Sequence, residues 1–78
     1  MESQLSPHPI KVDILLSFPD AIRELIKGKQ ITRVEWKNTD YGLLKNGFLM
    51  IYRNGEFFKW LVNDGDLLAT DWKVMESN

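Results

Sequence analysis

The stretch from Phe18 to Trp36, FPDAIRELIKGKQITRVEW, most narrows what this chain can fold into. Phe18, Ala21, Ile22, Leu25 and Ile26 recur at helical spacing and form one apolar face, while Asp20, Arg23, Glu24 and Lys27 fill the other. Ser17 offers an N-cap, and Asp20 three residues on approximates a capping box. Pro19 suits the first turn, where its missing N–H costs nothing. Glu24 and Lys27 make a helix-favouring pair. Gly28 supplies a left-handed stop. Gln30 to Trp36 then reads as a strand, with Ile31, Arg33 and Glu35 alternating against Thr32, Val34 and Trp36. Both of its sides carry large residues, so one is expected to meet the helix and the other a partner or a ligand.

Before this unit, residues 1–9 are polar, carry Pro7 and Pro9, and read as a flexible tail. Ile10, Val12, Ile14 and Leu16 have the period of a short strand. After it, residues 37–42 have loop composition, and Leu43 and Leu44 have no clear place. Asn46-Gly47 and Asn54-Gly55 are turn signals. Residues 48–52 and 57–62 on either side of the second turn predict a hairpin, with Arg53 and Glu56 close enough to pair. Asn63 or Asp64 would cap a single helical turn over 65–69, and residues 71–75 form a last short strand or an extended tail. The expected architecture is α+β: a small antiparallel sheet, one amphipathic helix packed on it, and a short C-terminal helical turn, all in one domain over residues 10–78.

The chain has 78 residues, so it buries only about 60% of its unfolded surface and its core is marginal. It has no cysteine to staple that core and no Cys/His cluster to hold a metal. Oligomerisation is the remaining remedy, and apolar residues on both faces of the hairpin argue the same way. Ten basic and eleven acidic residues give a net charge of −1, which is not the footprint of a DNA or RNA binder. No apolar run is long enough for a membrane span. The N-terminus lacks the basic and apolar regions of a signal peptide, so the cytoplasm is the expected compartment.

Catalysis has little support in these residues. His8 is the only histidine, and it lies between two prolines in the tail. Without it no Ser–His–Asp set can be assembled. The five glycines are isolated and read as turn residues, not as a phosphate loop. No cofactor is implied.

Two ordered runs carry a resemblance. They are Phe18-x-x-Ala21-x-x-x-Leu25-x-x-Gly28-x-x-Ile31-x-Arg33-x-x-Trp36, and Trp60-x-x-Asn63-x-x-Asp66-Leu67-Leu68-Ala69-x-Asp71-Trp72. Together they resemble the second type of Thoeris anti-defence protein, a phage family, over roughly residues 17–74. The resemblance implies a small α+β protein that assembles as a homotetramer. It implies a sponge that binds a cyclic ADP-ribose signal made by a bacterial TIR enzyme and holds it uncleaved, so that the Thoeris effector stays inactive. The setting would be the cytoplasm of the infected host. It further implies pockets between protomers that place aromatics against the base. Some members also take cyclic dinucleotides at a separate site.

A cyclic ADP-ribose needs π-faces for its base, hydrogen-bonding groups for its riboses and donors for its phosphates. Trp36 and Trp60 are the candidates for stacking, brought together across subunits; for each the plain alternative is a core tryptophan. Trp72 reads as core. Phe18 either lines the pocket or belongs to the core. Asn38 and Asn63 follow the tryptophans and can reach ribose or adenine edges, although Asn63 serves equally well as a helix cap. Arg33 can grip a phosphate with two donors or pair with a nearby carboxylate. Asp66 caps the turn or meets a ribose hydroxyl. A different class of function, a protein–protein inhibitor or an assembly subunit, would use the same exposed aromatics as anchors.

Overall fold

The computed structural model describes residues 14–75. The tail over residues 1–9 and most of the first expected strand lie outside that range. Of that strand, Leu16 makes an antiparallel bridge to Trp72 through both backbone bonds.

Helix α1 spans Phe18–Ile26. Ser17 Oγ accepts the N–H of Asp20, and Pro19 lies in the first turn. The Asp20 carboxylate pairs with Arg23 instead of reaching back to the cap. Glu24 meets both Lys27 and Lys29, at 3.2 and 3.0 Å. Gly28 ends the helix at φ +102°, a conformation that a side chain would strain. Ala21 and Leu25 are the buried centre of the apolar face, whereas Ile26 at its end is 66% exposed.

Five antiparallel strands follow: β1 (Ile31–Arg33), β2 (Tyr41–Lys45), β3 (Phe48–Arg53), β4 (Glu56–Lys59) and β5 (Trp72–Val74). Their order in the sheet is β4-β3-β2-β1-β5. Asn46-Gly47 and Asn54-Gly55 both turn with positive φ at each position, which matches the right-handed twist of the flanking strands. A short helix, α2 (Asp64–Leu68), carries the chain from β4 across to β5. The small α+β fold therefore stands as expected, with one helix and a short second one on a single sheet.

The expected boundaries needed four corrections. The strand over 30–36 stops at Arg33, and Val34–Trp36 forms a 3-10 turn. Tyr41 and Gly42, read as loop, begin β2, and Leu43 and Leu44 lie within it. The return strand ends at Lys59 rather than 62, although the Trp60 N–H still bonds the Leu49 carbonyl. The helical turn occupies 64–68 with Asn63 as its cap. Arg53 and Glu56 do face each other across the hairpin, but the Arg53 guanidinium bonds Asp40.

Register sorts the side chains. Ile31, Gly42, Ile51 and Phe58 are successive cross-strand partners on one face, shared with Val74 and Trp72 of β5. Helix α1 packs on the β5, β1 and β2 part of the sheet. The core is Ala21, Leu25, Ile31, Ile51, Trp60 and Trp72. The opposite face carries Tyr41, Tyr52 and Phe57 in a row, with ring centroids 4.9 and 5.0 Å apart. No described helix covers that row, and Phe48 beside it is 63% exposed.

Candidate functional site

A tight chain reversal places the first of the aromatics. After β1 the backbone would carry Trp36 onward along the sheet, but Asp71 diverts it. Its carbonyl accepts the Val34 N–H, and its carboxylate accepts the Glu35 N–H at 3.1 Å and Arg33 Nε at 2.8 Å. A residue 36 positions away in sequence thus starts the 3-10 turn. Lys37 and Asn38 close it in left-handed conformations. Trp36 is thereby aimed back over the helix-bearing face.

At the other end of the site the indole of Trp60 lies flat against Gly42. A Cβ built on Gly42 would stand 2.8 Å from Trp60 Cε3 and closer still to Cζ3. Gly42 is therefore in the sheet because a ring occupies its side-chain space, and the earlier reading as a turn glycine is corrected.

The three tryptophans and Phe18 form one cluster. Trp36 lies 6.1 Å from Trp60 and 5.2 Å from Trp72 between centroids, and Trp60 lies 5.7 Å from Trp72. Phe18 lies 6.1 Å from Trp60 and 5.3 Å from Trp72. These rings meet inside one chain, so their convergence across subunits is corrected: the crossover through α2 brings both halves of the sequence together in a single subunit. Trp72 is fully buried and Trp60 is 5% exposed, while Trp36 is half-buried.

Beside this cluster opens a pocket of about 590 Å³, within the range of about 300–1,000 Å³ common for small-molecule sites. Five of the seven candidate residues line it: Arg33, Trp36, Trp60, Asn63 and Asp66. Phe18 is placed behind the tryptophans, packed against the core. Asn38 sits exposed in the turn after Trp36 and is not part of the pocket wall. Glu35, Ile51, Arg53, Phe58 and Leu61 also line it, and residue spacing did not single them out. For Arg53 a signal existed: it stands two residues from Ile51 in a strand, hence on the same face. Lys59 also lines the pocket, but it pairs across the ladder with Met50, on the face opposite Ile51 and Phe58.

Electrostatics divides the two arginines. Arg33, 13% exposed in its side chain, meets Asp71 at 2.8 Å, Glu35 at 3.4 Å and Asp66 at 3.5 Å. The carboxylate-pair alternative for Arg33 is thus the observed arrangement. Its guanidinium is held above its ordinary pKa, chiefly by the Asp71 hydrogen bond acting against burial. Arg53 is more open and meets Asp40 at 2.7 Å, with its guanidinium 6.0 Å from the Trp36 ring centre. Asp66 is buried; one of its oxygens accepts Trp60 Nε1 at 3.4 Å, and its carbonyl accepts Trp72 Nε1 at 3.0 Å. Asn63, not Asp66, caps α2: Asn63 Oδ1 accepts the Asp66 N–H at 2.8 Å. Among the described residues no cluster of His, Cys, Asp or Glu is placed to hold a metal, and no helix is long and apolar enough to cross a membrane.

Burial pushes the Asp71 carboxyl up, but the bonds from Arg33 and the Glu35 N–H outweigh it and leave the group below its ordinary value of 3.8. A carboxyl depressed in the folded state stabilises the protein above its unfolded pKa, and that contribution is lost as pH falls through the lower folded value. Urea midpoints are therefore expected to hold from neutral pH to about 4 and then to fall. In Asp71→Asn the neutral-pH stability should drop by about 1–3 kcal/mol, with a shallower acid decline. Parallel pH profiles for the two proteins would remove this role of Asp71.

Residues 16–75 match the model of the Tad2-like family, the Thoeris anti-defense 2-like domain. The chain belongs to this family. No curated protein matches it. The matched range covers every element from the Leu16 bridge to β5, and so the whole pocket. Membership supports a Thoeris anti-defence role, and such a role is consistent with binding a signalling molecule.

Proposed function

We propose that this protein is a phage sponge: it captures a cyclic ADP-ribose signal of the glycocyclic type in the host cell and keeps it from the Thoeris effector without cleaving it. The observation that carries the proposal is the pocket beside the tryptophan cluster. It combines an accessible indole, Trp36, with cationic and amide groups in one cavity of about 590 Å³. An adenine stacks on Trp36, and Trp60 serves as the floor that holds that indole in place. Asn63, with its oxygen engaged by the Asp66 N–H, offers its amide hydrogens to ribose oxygens. Asp66 and Glu35 accept from ribose hydroxyls. Four copies assemble through apolar surface such as the Tyr41–Tyr52–Phe57 face, and a cyclic dinucleotide would occupy a separate site.

The same uncovered face favours the second reading, an inhibitor or assembly subunit that works through protein contact alone. One capture experiment separates the two. The protein, its mass checked by light scattering, is incubated with a cyclic ADP-ribose, washed, and heated to release what it holds. A sponge returns the ligand intact. A hydrolase returns product, and a protein-contact module returns nothing; either result ends the proposal. Stacking on an aromatic is worth about 1–3 kcal/mol per base, so Trp36→Ala is expected to weaken capture about tenfold or more. Trp36 is the informative position because it is half-buried; truncating Trp60 would disturb the core as well.

A further inference from the structure

The two arginines of the pocket are not equivalent, and the difference points to how a phosphate is held. Arg33 is surrounded by Asp71, Asp66 and Glu35, so its neighbourhood is net negative and closed to an incoming anion. Arg53 meets a single carboxylate, Asp40, among the described residues, and about half of its side chain, 46%, is exposed. It rises from β3 on the same sheet face as Ile51, at the pocket wall. Its guanidinium stands over Trp36 at 6.0 Å, the outer limit of about 6 Å for a cation–π contact. A base stacked on that indole replaces this weak hold with a stronger one. The displaced guanidinium remains within the same cavity, where its planar fork matches phosphate oxygens.

On the reading of the pocket as a nucleotide site, we infer that Arg53 is its phosphate-binding residue. It yields the face of Trp36 to the ligand's base and takes the ligand's phosphate, while Arg33 stays a structural cation. Asp40 positions Arg53 over the indole until the ligand arrives, because it bonds Nε. The site then selects for ligands that carry a base and a phosphate together, since either alone leaves one of the two partners unsatisfied.

The test titrates tryptophan fluorescence with a cyclic ADP-ribose and, separately, with adenosine, at low and high salt. Arg53→Gln keeps a polar end group and removes the charge, and its melting temperature shows whether loss of the Asp40 pair disturbs the fold. It is expected to lose about tenfold or more in affinity for the cyclic ADP-ribose, to show a flatter salt dependence, and to bind adenosine as well as wild type or better, because the base no longer displaces the guanidinium. Arg53→Lys should fall between, because it keeps the charge without the fork. If Arg53→Gln binds the cyclic ADP-ribose like wild type, or loses both ligands equally, the inference fails while the pocket reading stands. If wild type takes up neither ligand, the pocket reading itself fails and carries this inference down with it.

Discussion

Trp72→Ala is expected to remove a large share of the stability of the fold. The side chain is fully buried, touches Phe18, Trp36 and Trp60, and donates Nε1–H to the Asp66 carbonyl at 3.0 Å. Truncating a buried tryptophan costs about 3–5 kcal/mol. At roughly 0.05–0.15 kcal/mol per residue, a domain of this length has about 4–12 kcal/mol in all. The loss thus consumes about a quarter of the stability in the best case and all of it in the worst. A fall in thermal midpoint of about 15 °C or more follows for a domain of this size. Trp72 also pairs with Leu16 on one side and Arg33 on the other, so its position joins β5 to both neighbours. Trp72→Phe should recover much of the loss, since it keeps a ring in the cluster and forfeits only the N–H. Circular dichroism melts of the three proteins decide the matter. A midpoint for the alanine variant within about 4 °C of wild type would show that the cluster is not the core.

Gly42→Ala adds the most crowded methyl of any glycine in the chain. The added carbon would stand 2.8 Å from one atom of the Trp60 ring and nearer to another, and both the ring and Gly42 itself are buried. Overpacking of this kind costs about 1–3 kcal/mol, or roughly 5–20 °C in melting temperature. The consequence extends beyond stability. A Trp60 ring that moves to relieve the clash disturbs the cluster it shares with Trp36, the ring 6.1 Å away that also lines the pocket. Capture of a cyclic ADP-ribose is therefore expected to fall together with the melting point. Placing Gly42→Ala in a Trp60→Leu background isolates the cause, because the smaller side chain removes the overlap. The two changes should then couple by about 1 kcal/mol or more. An equal cost in both backgrounds would refer the effect to the strand backbone instead.

Local chemistry was legible along the chain to the extent that it depends on neighbours in sequence. Helix α1 shows its apolar spacing, its serine cap and its glycine stop within twelve residues, Ser17 to Gly28. The two Asn-Gly turns declare themselves because few other residues tolerate two successive left-handed positions. Trp36, Trp60, Asn63 and Asp66 were singled out because the family resemblance implies a cyclic ADP-ribose, whose base and riboses need aromatic and polar partners. Arg53 escaped notice because its pairing with Asp40, thirteen residues away, is invisible to a reading that looks across the nearest turn.

What the sequence alone determined was part of the set of elements and the residue types suited to bind: one capped helix, two tight turns, a polar-capped short helix, and tryptophans flanked by polar groups, but not strand β2. These follow from backbone preferences and periodicity, which act over a few residues. Tertiary structure decided where Trp36 points, why Gly42 has no side chain, and which arginine is less surrounded by carboxylates. Each of those depends on a group brought from a distant part of the chain: the Asp71 carboxylate at the start of the 3-10 turn, the Trp60 ring on β2, and three acids around Arg33 against one at Arg53. Electrostatic pairing and steric exclusion act through space, so no local pattern encodes them.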